Sequence, residues 1–129
     1  MTGIVQNKVV LVTGGSSGIG RAASLIFARE GAKVVIADIA VPMGHETVRM
    51  IKESGGEATF TKTDVRISAE VESTVLETVK IYGSLDCAFS NAGIAGWLGR
   101  RPVNITGEME GWDDVVNTNT KGGMAMHEI

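Results

Sequence analysis

Apolar positions along this chain fall in short blocks that alternate between two periodicities. Val9-Val10-Leu11-Val12 is a continuous apolar run rich in β-branched residues, and it stops at Thr13-Gly14-Gly15-Ser16-Ser17-Gly18-Ile19-Gly20. A run of this length bounded by glycines predicts a buried strand followed by a turn. Beyond Gly18, the residues Ile19, Ala22, Ala23, Ile26 and Phe27 recur at helical spacing, which predicts a helix laying that stripe against a sheet. Glu30-Gly31-Ala32 ends the helix, and Lys33–Asp38 is a second apolar strand that finishes on a carboxylate. Pro42 stands where a second helix can begin; Val48 and Ile51 give it a weaker apolar face, and Gly55-Gly56 stop it. Glu57–Lys62 alternates as a third strand, with Thr63-Asp64-Val65 at its end. Ser68 with Glu70 and Glu72 behind it starts a third helix, with Val71, Val75, Val79 and Tyr82 along one side and Gly83 at its end. Leu85–Ser90 is a fourth strand, running into Asn91-Ala92-Gly93.

The resulting β-α-β-α-β-α-β alternation demands crossover connections, parallel strands and right-handed units. The expected fold is α/β, a doubly wound Rossmann-type parallel sheet in strand order 3-2-1-4, forming one domain over residues 1–129. Ile94–Gly111 reads as a longer loop, and Trp112 opens a last segment that reaches Ile129 without a helix terminator.

Composition narrows the function. A chain of 129 residues suffices for one core, and a net charge of −3 gives no electrostatic case for nucleic acid or an anionic membrane as partner. One cysteine, Cys87, cannot form an internal disulfide; within the run Leu85–Phe89 it reads as a small buried hydrophobe, in keeping with a reducing cytoplasm. No apolar stretch approaches the roughly 20 residues of a membrane span.

The glycine-rich turn carries the first chemical signal. Strand, glycine loop and helix in succession present backbone N–H groups and the positive end of a helix dipole to one point, which suits a pyrophosphate. The glycines at 14, 18 and 20 permit a tight turn, a close ligand approach and helix–strand packing. Asp38, at the end of the next strand, is placed to accept both ribose hydroxyls of an adenosine and to repel a 2′-phosphate, which favours NAD over NADP. A solvated strand-end carboxylate is the alternative for Asp38. Arg21 reads as a solvated helix residue, and His45 and His127 have no triad or metal partners, so no metal site is expected.

These residues resemble the short-chain dehydrogenases/reductases. Thr13–Gly20 matches that family's TGxxxGxG loop, Asn91-Ala92-Gly93 its NAG, and Trp112-Asp113-Asp114-Val115-Val116-Asn117-Thr118-Asn119-Thr120-Lys121-Gly122 its W-D-x-V-x-x-V-N-x-x-G segment. Ser90 replaces the first asparagine of the common NNAG, and Thr118 an apolar residue before Asn119. The resemblance implies an oxidoreductase that transfers a hydride between a nicotinamide cofactor and a small alcohol or carbonyl substrate. It implies cofactor contacts at Gly14, Ser16, Ser17, Gly18, Ile19, Gly20, Asp38 and Ile39, adenine contacts at Asp64 and Val65, and ribose and nicotinamide contacts at Asn91, Ala92 and Gly93. Asn119 matches the asparagine that holds a water in the proton relay. Alternatives stand beside each: a turn aspartate at Asp64, a purely structural Asn91, an ordinary helical polar residue at Asn119.

The family's proton relay needs a tyrosine and a lysine four residues apart on one helix face. This sequence has one tyrosine, Tyr82, with Asp86 four residues on, and therefore no YxxxK. Relative to the family the chain is expected to lack the later strands, to bind NAD, to be inactive alone, and to self-associate through the open edge of its fourth strand. A non-catalytic dinucleotide-binding or interaction protein is the competing expectation. A methyltransferase on a similar sheet fits the glycine loop and Asn91-Ala92-Gly93 less well.

Overall fold

The computed structural model describes residues 4–92. The elements follow in strict alternation: β1 (Val9–Thr13), α1 (Gly18–Arg29), β2 (Lys33–Asp38), α2 (Val41–Glu53), β3 (Glu57–Lys62), α3 (Ser68–Tyr82) and β4 (Cys87–Ser90). All pairings are parallel and the strand order is β3-β2-β1-β4, the order expected. The expected loop 94–111, the final segment 112–129, Gly93 and Asn119 lie outside the described residues.

The central strands β1 and β2 are apolar on both faces because helices cover both. On one face Val10, Val12, Val34, Ile36 and Ala58 form a core with Val48 and Ile51 of α2, against which Leu25, Phe27 and Ala28 of α1 pack. On the other, Leu11, Val35 and Ala37 lie beneath Val75 and Tyr82 of α3 and Leu85. Residues one position apart thus divide between two cores, the period-2 consequence of a pleated strand. Among the described residues no helix is long and apolar enough to cross a membrane.

Four expectations need correction. The inner face of α1 is not the Ile19–Ile26 stripe: Ile19 is 74% and Ile26 49% exposed, while Gly20 and Ser24 are buried. The cause is Gly20, where a Cβ would lie 2.0 Å from the Gly14 carbonyl oxygen. The helix crosses the loop at that glycine, and the contact fixes its rotation ahead of any preference of the larger side chains. On α3, Val79 is 41% exposed and the inner face is Val71, Thr74 and Thr78. The helix does start at Ser68, as expected, with Ile67 as its cap residue and no side-chain capping bond. Finally, Cys87 is exposed, because β4 pairs only with β1 among the described residues and starts at Cys87, two positions later than the apolar run suggested. The fourth correction, at Arg21, belongs to the site.

Candidate functional site

The C-terminal ends of β1, β2 and β4 converge on the loop Gly14–Ser17. Gly14 has φ +70°, and a Cβ there would stand 3.0 Å from both the Ala92 Cα and the Asn91 Nδ2. Only glycine admits the left-handed turn and that approach together. Gly18 is different: its φ is +54°, and nothing lies within 4 Å of where a Cβ would be. Gly14 and Gly20 thus serve the chain's own packing, whereas Gly18 faces open space.

Hydrogen bonds tie the loop to its surroundings. The Gly14 N–H donates to the Ala37 carbonyl at 2.8 Å. The Ser16 N–H donates to Asp38 Oδ2 at 3.2 Å, the Ala40 N–H to Asp38 Oδ1 at 3.1 Å, and Ser16 Oγ to the Ala40 carbonyl at 3.3 Å. Asp38 is therefore built into the loop instead of being a free strand-end carboxylate, and each of its oxygens keeps a further lone pair. On the opposite flank the Thr13 hydroxyl accepts from the Asn91 and Ala92 N–H groups, both at 3.0 Å, and donates to the Phe89 carbonyl at 3.5 Å. Asn91 Nδ2 donates to the Gly14 carbonyl at 3.4 Å. One buried threonine uses its whole hydrogen-bonding capacity to hold the end of β4 against the end of β1.

Ser17 caps α1 in an extended conformation, yet its side chain makes no capping bond, and the first turn carries no acid. The N–H groups of that turn are left facing the side on which Ser17, Gly18 and Ile19 are exposed. Ile39, 57% exposed, follows Asp38 on the same rim. Beyond β3, Val65 is buried and packs with Val71 and Ala92, so the ends of β3 and β4 meet through this small cluster. Asp64 is held by Arg66: the Arg66 N–H and Nε donate to Oδ1 at 3.0 Å, and Nη2 reaches Oδ2 at 2.8 Å. Hydrogen bonds from that guanidinium hold the Asp64 carboxyl below its ordinary range, against the opposing effect of partial burial.

Of the residues singled out from sequence, Gly14, Ser16, Asp38, Asn91 and Ala92 form one bonded cluster, Gly20 packs onto Gly14, and Ser17, Gly18, Ile19 and Ile39 line its open side. Val65 adjoins it through Ala92, and Asp64 precedes Val65 in the chain. Gly93 and Asn119 lie outside the described residues. Two participants were not anticipated. Arg21, expected to be solvated, donates from Nε to Thr47 Oγ1 at 2.9 Å and from Nη2 to the Met43 carbonyl at 3.1 Å. Thr47 is fully buried and donates to the Gly15 carbonyl at 3.0 Å. A signal existed for Thr47: it shares a helical face with Gly44, Val48 and Ile51, and a polar group on a buried face must find a partner.

Tyr82 lies at the other end of the sheet. Its hydroxyl donates to Glu57 at the start of β3 at 3.4 Å, Lys33 at the start of β2 sits 5.9 Å from its ring centroid, and burial pushes its hydroxyl pKa up. The glycine loop stands at the opposite ends of those strands, so Tyr82 is a packing residue.

The sequence profile of the short chain dehydrogenase family matches residues 8–128. An uncharacterized oxidoreductase of Thermotoga maritima is 44% identical over 117 residues, covering 91% of this chain and 44% of that protein. Secoisolariciresinol dehydrogenase of Forsythia intermedia is 40% identical over 118 residues, 92% of this chain and 41% of its own length. The structure of a short chain dehydrogenase/reductase from Burkholderia phymatum in complex with NAD superposes with a TM-score of 0.86 at 28% identity, over 96% of this chain and 43% of that one. A short chain dehydrogenase from Mycobacterium smegmatis gives 0.87 at 32% identity, over 98% and 52%. The chain thus spans about half the length of the relatives it matches. With a glycine loop, a strand-end aspartate and the Asn91-Ala92 pair joined at one end of a β3-β2-β1-β4 sheet, and a profile match over nearly the whole sequence, the chain belongs to the short-chain dehydrogenase family of oxidoreductases.

Proposed function

We propose that these 129 residues form the NAD-holding half of a short-chain oxidoreductase. The observation that carries the proposal is the Ser16–Asp38 hydrogen bond, which makes the glycine loop and the strand-end carboxylate one unit. That unit adjoins the crevice between β1 and β4, where the winding of the sheet reverses and ligands of such sheets bind. The uncapped first turn of α1 and the open space at Gly18 fit an anionic pyrophosphate. Gly14, Ser16, Ser17, Gly18, Ile19 and Gly20 would hold it, Asp38 and Ile39 the adenosine ribose, Asp64 and Val65 the adenine, and Asn91, Ala92 and Gly93 the nicotinamide side. Arg66 already engages both Asp64 oxygens, so that residue offers its remaining lone pairs and its backbone.

When bound, NAD supplies a nicotinamide carbon that accepts or returns a hydride. A carboxylate at Asp38, beside the ribose position, would welcome hydroxyls and repel a 2′-phosphate. Asn119 is assigned to hold a water for proton transfer. The substrate class is a small alcohol or carbonyl compound and the setting the cytoplasm. Since no Tyr-x-x-x-Lys occurs among the 129 residues, this stretch by itself binds cofactor and does not turn over.

Calorimetric titration of the chain with NAD+ and NADP+ tests the proposal. NAD+ is expected to bind more tightly by about tenfold or more, a difference of roughly 1.4 kcal/mol. Asp38→Asn removes the repelling charge and should narrow the ratio. Equal affinities in the wild type, or reduction of NAD+ by the 129-residue chain with an alcohol, would contradict it.

A further inference from the structure

We propose that Arg21 and Thr47 are positioning residues that set the orientation of the cofactor loop without touching the cofactor. Both ends of the Gly15–Ser16 peptide unit are held: its N–H donates to Asp38 Oδ2 at 3.2 Å, and its carbonyl accepts from Thr47 Oγ1 at 3.0 Å. The first restraint comes from β2 and the second from α2, so the peptide plane is fixed from two elements.

Thr47 has a single hydroxyl proton and two carbonyls in reach, Gly15 at 3.0 Å and Met43, one turn back on its own helix, at 3.3 Å. Arg21 decides between them. Its Nη2 satisfies the Met43 carbonyl at 3.1 Å, and its Nε–H occupies a lone pair of Thr47 Oγ1 at 2.9 Å. The proton is thereby directed to Gly15. Space reinforces the constraint, because a Cβ at Gly15 would stand 2.8 Å from Ile36 Cγ2, so the loop already lies directly on the core. A loop held in this way presents its remaining N–H groups without paying an ordering cost when a pyrophosphate arrives.

The role rests on the NAD reading above, and the test separates the two. Amide hydrogen exchange of the chain and calorimetry with NAD+ are measured for wild type, Thr47→Val, Thr47→Ser, Arg21→Met and the double variant Arg21→Met with Thr47→Val. Thr47→Val is expected to speed exchange at Ser16 by about tenfold while leaving Leu11 and Val35 in the core unchanged, and to weaken NAD+ by roughly 3–10-fold, the net worth of one hydrogen bond. Thr47→Ser should restore both. Arg21→Met should weaken NAD+ by about 2–5-fold in the wild type and have no further effect in Thr47→Val, because it acts through that hydroxyl. Unaltered exchange at Ser16 in Thr47→Val, unaltered affinity where exchange is faster, or additive losses in the double variant overturn the inference alone. A wild-type chain that fails to bind NAD+ overturns the cofactor reading and this role with it.

Discussion

Glycines that look equivalent in a motif do different work, and Gly20 and Gly18 show the contrast most sharply. A methyl at residue 20 would meet the Gly14 carbonyl at 2.0 Å, a backbone atom that cannot yield without moving β1 away from α1. A methyl at residue 18 meets nothing and costs only the left-handed φ of +54°. Gly20→Ala is therefore expected to destabilise by roughly 3 kcal/mol, the upper end for overpacking, and Gly18→Ala by about 1 kcal/mol. Thermal unfolding should rank them in that order, while calorimetry should find NAD+ binding weakened in Gly18→Ala even though its fold survives. Equal melting temperatures for the two would show that helix and loop do not meet as described. Polar residues follow the same logic of hidden partners. Thr13 ends an apolar strand and Thr47 lies on the buried face of α2, and each holds a loop through its hydroxyl.

At the level of elements, the alternation of strands and helices was legible because every strand is a compact apolar run and most boundaries carry glycine or proline. The bounds of β2 and β3 read from sequence are those observed. What could not be read was helix rotation. In α1 the apolar stripe suggested Ile19 and Ile26, but the closest contact is made by the residue with no side chain at all, and hydrophobic periodicity carries no information about that. In α3 the inner positions 74 and 78 are threonines whose hydroxyls bond back to the carbonyls of Glu70 and Thr74 at 2.9 and 2.8 Å. That self-satisfaction lets a polar residue occupy a buried face that a hydrophobicity count assigns elsewhere. The corrected rotation of α1 makes a plain forecast. Ile26→Lys should change stability by no more than about 0.5 kcal/mol, the range of ordinary surface substitutions. A large loss in chemical denaturation would restore the original stripe.

At the level of the whole molecule, the two ends of the sheet have separate characters. The glycine loop, Asp38, Asn91 and Ala92 gather at the C-terminal ends of the strands, while Tyr82, Glu57 and Lys33 form a packing cluster at the other. The candidate site was legible through its backbone-defining residues and illegible in the network that holds them, because Arg21 and Thr47 lie 26 positions apart and meet only when α1 and α2 pack together. Cys87, Ala88 and Ser90 are exposed and, among the described residues, β4 pairs with β1 alone; we propose that its other side is offered to a second chain. Size-exclusion chromatography with light scattering should find the 129-residue chain self-associated, and a stable monomer at high concentration would count against it. The central claim, that one end of this sheet holds NAD, is tested most directly by chemical-shift mapping on the nitrogen-15-labelled chain. Titration with NAD+ should move the amides of Ser16–Gly20, Asp38, Ile39, Val65, Asn91 and Ala92 and leave Gly31, Gly56 and Tyr82 in place; shifts confined to the Tyr82 end, or none anywhere, would contradict it.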